Sequence, residues 1–137
     1  MNTNIIGAVT ELKCMTYFLE LGYNVSVPQA PCRYDFILDT GKELLKIQVK
    51  TSHFEEDGIV FSTSSAHYIN GKFIHTDYKE DNIDYFCTWY ENKCYLILVS
   101  ECGKSEKKLR TQPTKNGQVK NISFAKDYIA KEVLQNR

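Results

Sequence analysis

The stretch from Leu44 to Ser52, LLKIQVKTS, sets Lys46, Gln48 and Lys50 at every second position. Side chains of an extended chain alternate between faces. Leu45, Ile47, Val49 and Thr51 therefore share one face, and Leu44, Lys46, Gln48 and Lys50 the other. The first set builds a core. The second faces water or lines a site, with Gln48 and Lys50 about 6.8 Å apart along the strand. Two acids complete the set: Asp35 in RYDFILD and Glu11 in the upstream segment GAVTELK. Two carboxylates, an amide oxygen and an ammonium suit a hard cation and a phosphate. Mg²⁺ takes a few oxygen ligands and keeps several waters. It lowers the pKa of an attacking water and offsets charge on a pentavalent phosphate. A lysine beside it orients or deprotonates that water.

The elements must bring these residues together. Ile5, Ala8, Leu12, Met15 and Leu19 follow helical spacing, widened by Val9, Phe18 and Leu21. A helix is expected over 4–21, capped by Asn2, Thr3 or Asn4 and ended by Gly22. Glu11 lies beside that stripe. YNVSV reads as a short strand, PQAPC as a loop fixed by two prolines, and RYDFILD as a strand returning through the turn TGKE into LLKIQVKTS. A four-residue turn sets Asp39 opposite Leu44 and Asp35 opposite Gln48 in antiparallel register. GIVFSTSS is a further strand, and a polar stretch over 66–82 contains the turn INGK. IDYFCTWY and KCYLILVS form a hairpin across Glu91 and Asn92. The segment 104–121 reads as a basic loop. FAKDYIAKEVLQ reads as a closing helix with Ser123 as its cap. No repeat or linker appears, so residues 1–137 are expected to form one domain, α/β with a mixed central sheet flanked by helices.

Composition narrows the classes. Hydrophobic residues at 42% and charged residues at 25% are near globular averages and argue against disorder. The chain has no apolar run of about 18 residues, the length a spanning helix needs. MNTNIIGAVTELK has no basic n-region and carries Glu11, which argues against a signal peptide. Five cysteines without paired spacing point to reduced thiols and a cytoplasmic setting. Cys87 and Cys94 sit in apolar runs as small core residues. No CxxC or HxxxH spacing suggests structural zinc. Net charge is zero but segregated. Residues 103–121 hold six basic residues against Glu106, whereas 77–91 hold Asp77, Glu80, Asp81, Asp84 and Glu91 against Lys79. A local basic patch attracts phosphate even on a neutral chain.

Asp35 followed by Gln48-Val49-Lys50 resembles the core of the PD-(D/E)XK nuclease superfamily, in the variant with glutamine at the second acid. Glu11 is placed like the helix glutamate of its resolvase-like and homing-endonuclease branches. NIDYFCTWY, KCYLILVS, KLRTQPTKNGQ and FAKDY extend the likeness to small single-domain endonucleases, including those encoded in group I introns. Tyr34 stands where the signature has proline, and Gln48 supplies a neutral oxygen. The resemblance implies a restriction-endonuclease-like fold and Mg²⁺-dependent hydrolysis of DNA, with Mn²⁺ as an alternative ion and a 5′-phosphate and 3′-hydroxyl as products. It implies Asp35, Gln48 and Glu11 as metal ligands, with Lys50 positioning the water. Rival readings are a Holliday junction or other structure-selective nuclease, a catalytically inactive DNA-binding module, and a protein-interaction domain.

On a DNA-acting reading, Lys46, His53 and Lys115 are phosphate-contact candidates. Arg110, Asn116 and Gln118 are base-reading candidates, since arginine suits guanine and the amides suit adenine. The partner is double-stranded or branched DNA. One site per chain against two strands leads to an expected homodimer or homotetramer.

Overall fold

The computed structural model describes residues 1–77 and 82–137, with backbone alone for 65–69 and 73–77. Helix α1 (Thr3–Glu20) begins at Asn2, whose side-chain oxygen accepts the Ile5 N–H at 3.0 Å. It ends where Gly22 turns left-handed at φ 92°. Gly22 N–H then donates to Leu19 and Tyr23 N–H to Phe18, closing the helix's last carbonyls.

The strands follow as β1 (Asn24–Ser26), β2 (Phe36–Asp39), β3 (Leu44–Val49), β4 (His53–Glu55), β5 (Gly58–Ser62), β6 (Ser64–Ile69), β7 (Lys72–Asp77), β8 (Tyr85–Tyr90), β9 (Lys93–Leu98) and β10 (Glu106–Arg110). A 3₁₀ turn (Ala125–Tyr128) and helix α2 (Ala130–Gln135) end the chain. The main sheet runs β1-β2-β3-β8-β9. It is mixed: β3 and β8 are parallel, and the other neighbours antiparallel. A second sheet runs β10-β5-β4, and β6 pairs with β7.

The two faces of the main sheet are covered differently. On one, Cys14 and Phe18 of α1 and Ala130 and Leu134 of α2 pack on Phe36, Leu38, Leu45, Ile47, Cys87 and Leu96. On the other, Ile59, Phe61 and Leu109 of the second sheet pack on Phe86, Tyr95 and Ile97. Both clusters are buried, which is where most of the stabilisation of such a chain originates. β5 and β10 approach so closely that a Cβ on Gly58 would lie 2.5 Å from the Leu109 carbonyl oxygen. Only glycine fits there.

Several sequence expectations are corrected. Only part of the apolar stripe of α1 faces inward: Met15, Phe18 and Leu21 pack on the core, whereas Ile5, Leu12 and Leu19 are 50%, 60% and 49% exposed. The buried face is Thr10, Cys14 and Phe18, spaced four apart, whose smaller members let the helix lie close to the sheet. The segment 104–121 is not all loop. Glu106–Arg110 is a strand with Leu109 alone fully buried, so alternation was weak in the sequence. The closing helix is broken: Ile129 is extended at φ −60°, ψ 123° and bridges to Tyr95. No side chain caps either half, so Ser123 is not a cap. INGK closes a hairpin, with Asn70 and Gly71 at φ 50° and 76°. Glu91 and Asn92 close β8 to β9 at φ 46° and 64°, as the sequence suggested. Of the acidic segment, Lys79, Glu80 and Asp81 lie outside the described residues.

Candidate active site

The site lies where β2 has not yet begun alongside β3. Asp39 pairs with Leu44 and Phe36 with Ile47, and the same register sets Asp35 opposite Gln48. Asp35 N–H donates to Ile47 O at 2.8 Å. One step further the ladder lacks a backbone acceptor, and the Asp35 side chain supplies it: Val49 N–H donates to Asp35 Oδ2 at 2.7 Å. This bond locks the rotamer and uses one oxygen of the carboxylate.

Lys50 follows the end of β3. Its N–H continues the parallel pairing by donating to Cys87 O at 2.9 Å, and its ammonium donates to Ser64 O at 3.0 Å. Thr51 Oγ1 lies 3.2 Å from Thr10 Oγ1, which also donates to Ile6 O at 3.0 Å. That contact ties α1 to the end of β3 and fixes the height of its neighbour Glu11. Gln48 is half-buried between Lys46 and Lys50, on the face of β3 away from the helices, and its Nε2 is 3.5 Å from Val49 O.

Glu11, Asp35 and Lys50 influence one another's ionisation. Burial raises the Glu11 pKa, followed by the negative charge of Asp35 and by Cys14. Burial also raises Asp35, against the lowering effects of the Val49 N–H and the Lys50 ammonium. Burial pulls Lys50 below the ordinary lysine range, opposed by Asp35 and assisted by repulsion from Arg33. Two acids raised and a lysine lowered, each chiefly by burial, mark a partly desolvated group of charges. Their hard oxygen donors, with the amide of Gln48 across the ladder, fit a divalent cation of the Mg²⁺ type. Thr10, Thr51 and Arg33 escaped the sequence reading. Arg33 stands two residues before Asp35, a spacing that gives no sign of its influence on Lys50.

The expected DNA contacts fall on separate elements. Lys46 is half-buried on β3, where its N–H donates to Asp84 Oδ2 at 2.8 Å. His53 is exposed on β4 beside Glu55, Nε2 to Oε2 3.2 Å. Arg110, at the end of β10, binds its own surroundings. Its guanidinium pairs with Asp57 and donates to Gln112 O at 2.9 Å and Pro113 O at 3.2 Å. Lys115 is exposed in the next loop. There Asn116 Oδ1 accepts the Gln118 N–H at 3.1 Å, and Gln118 Nε2 donates to Lys120 O at 3.3 Å. These bonds shape the loop, and base reading by Arg110 requires exchanging them.

Among the described residues no helix is long and apolar enough to cross a membrane. A sequence model described as PD-(D/E)XK endonuclease matches residues 1–131. No curated protein matches the chain. Among solved structures it is similar to a bacterial homing endonuclease, I-Ssp6803I, at TM-score 0.79 and 20% identity. The match covers 98% of this chain and 93% of that one. The two share a fold.

Proposed function

The chain belongs to the PD-(D/E)XK endonuclease family, and from that premise we propose that it hydrolyses phosphodiester bonds in DNA, leaving a 5′-phosphate and a 3′-hydroxyl. The observation that carries this reading is the Asp35 carboxylate, locked at the mouth of β2 and β3 by Val49 N–H with Lys50 and Glu11 as its charged neighbours. Asp35, Glu11 and the side-chain oxygen of Gln48 would hold Mg²⁺ or Mn²⁺. The bound cation supplies charge neutralisation at the phosphate and a water of lowered pKa.

The chain's own residues do the rest. Asp35 is preorganised, since the Val49 N–H fixes one of its two oxygens. Lys50 has its pKa lowered by burial and held up by the neighbouring Asp35. It orients the attacking water and steadies the phosphate. Glu11 enters from the opposite side on a helix tied down through Thr10. Lys46 and Lys115 contribute phosphate contacts, and His53, Asn116 and Gln118 lie exposed for others.

Self-association belongs to the same reading, as a dimer or tetramer. One site per chain cuts one strand, and the outward stripe of Ile5, Val9, Leu12 and Leu19 on α1 is apolar surface that a second copy would cover. Cleavage of mixed duplex and branched DNA, with Mg²⁺ and with chelator, tests the proposal on wild type and Lys50→Ala. Wild-type cleavage should need the metal, and end-labelling should find phosphate at 5′ termini. DNA binding without digestion by either protein would identify a silent binding module, equal digestion by both would remove Lys50 from the mechanism, and preference for junctions would identify a structure-selective nuclease.

A further inference from the structure

Three of the five cysteines meet in the core, on the helix side of the main sheet. Cys14 comes from α1, Cys87 from β8 and Cys94 from β9, and all three have no solvent exposure. Their sulfur atoms lie within 4.8 Å of one another, with Cys87 and Cys94 at 3.4 Å. Among the described residues no other three potential ligands of the histidine, cysteine or acid types are gathered so closely. The register explains the convergence. Cys87 pairs with Leu96 and Trp89 with Cys94, so the two sheet cysteines are diagonal neighbours on one face. Cys14 descends onto them from the buried face of α1.

The spacing excludes one explanation and fits another. A disulfide requires about 2.05 Å between sulfurs, and all five thiols are free. Metal–sulfur bonds of about 2.3 Å set sulfur pairs about 3.8 to 4.0 Å apart in tetrahedral or trigonal coordination. Cys87 and Cys94, at 3.4 Å, are slightly closer than that and must part by a few tenths of an ångström around an ion, while the third sulfur stays within 4.8 Å of both. Sulfur donors select soft ions such as Zn²⁺ and Cu⁺ over Mg²⁺.

We propose that Cys14, Cys87 and Cys94 form a buried trithiolate site for one soft cation of the Zn²⁺ class, which staples α1 to β8 and β9. Each thiol gives up its proton to solvent as its sulfur–metal bond forms, so three protons leave and no electron moves. The site is closed, so the ion enters as the helix docks during folding. It differs in chemistry from the oxygen-lined site but shares its helix. Cys14 is one turn beyond Glu11, and fixing the cysteine fixes the glutamate. The proposal stands whether or not the chain cuts DNA.

The test uses the full chain with Cys32→Ser and Cys102→Ser, which removes the two thiols outside the cluster. It is refolded under reducing conditions with Cd²⁺ as probe, beside a metal-free control, and then desalted. The expected result is one Cd²⁺ per chain, with an ultraviolet sulfur-to-metal charge-transfer band and a first shell of three sulfurs by X-ray absorption. The loaded chain should melt higher than the control. Zn²⁺ supplied alone should occupy the same site, Cd²⁺ should displace it, and a large excess of Mg²⁺ should displace neither. A folded chain that retains no Cd²⁺, or a first shell of oxygen and nitrogen, would overturn the proposal. Adding Cys94→Ala should abolish the band, and its survival would overturn the proposal equally.

Discussion

Asp35 is under opposed influences, and burial prevails. Its carboxyl is raised from the ordinary 3.8 although a backbone N–H and an ammonium both favour the charged form. A raised pKa in the folded state contributes stability below the unfolded value, which is lost as pH rises through the folded value. Ionised Asp35 therefore costs the metal-free chain stability near neutrality. Glu11 adds to this in the same direction. Lys50 mirrors them: its lowered pKa contributes stability above 10.5 that is lost as pH falls through the folded value. Asp35→Asn keeps an oxygen for the Val49 N–H and removes the charge. By calorimetry the metal-free variant should melt higher than wild type at neutral pH, the gap closing as pH falls through the folded value of Asp35 and gone below 3.8. Its cleavage rate should drop by at least about 10²-fold. A lower melting point at neutral pH would mean that attraction to Lys50 outweighs burial. Lys50→Ala should lose about 10² to 10⁴ in rate, the usual range for a group acting on a proton in the transition state, measured by single-turnover cleavage. The site was legible at this scale because Thr40–Glu43 fixes the loop length and hence the register of Asp35 against Gln48. Arg33 was not, because it acts through space.

Elements were legible where one face is buried and alternation is clean, as in β3, or where a short run is apolar on both faces, as in β8 and β9. They were obscured where burial comes from a layer the pattern does not encode. In β10 a single leucine reaches the core among charged neighbours, so GKSEKKLRTQ reads as loop. In α1 the larger apolar residues form the more conspicuous stripe, yet packing selects the smaller face that can approach the sheet. The join of β5 to β10 offers a direct measurement. Gly58→Ala sets a methyl 2.5 Å from the Leu109 carbonyl oxygen, and backbone cannot swing aside as a side chain can. The strands must separate, at a cost of about 1–3 kcal/mol typical of overpacking. Urea denaturation should show that loss as a lower midpoint at unchanged slope. An unchanged midpoint would mean that the second sheet is looser than its geometry implies. Asp57, in the turn just before β5, holds Lys108 and Arg110 together at the end of β10, so the cost should extend to the loop beyond.

At the scale of the whole molecule, the main sheet is covered by helices on one face and a second sheet on the other, and the site opens between them. α1 reaches it from the helix side through Glu11, while Ser64 reaches Lys50 from β6. That arrangement leaves the outer side of α1 uncommitted to the site and free to meet another chain. Ile5, Leu12 and Leu19 have at least half or nearly half of their surface in water, although large apolar groups stabilise a chain only when water is excluded from them. On the proposed function, duplex cleavage would give that surface a use, since two sites held together would cut both strands before release. Leu12→Glu adds a charge at a position 60% exposed, where the folded chain loses no packing. Circular dichroism should be unchanged, sedimentation should shift toward the monomer, and nicked duplex should accumulate before linear product. Wild-type chain that sediments as a monomer at micromolar concentration would remove the association. A variant that associates as wild type does would place the interface elsewhere than α1.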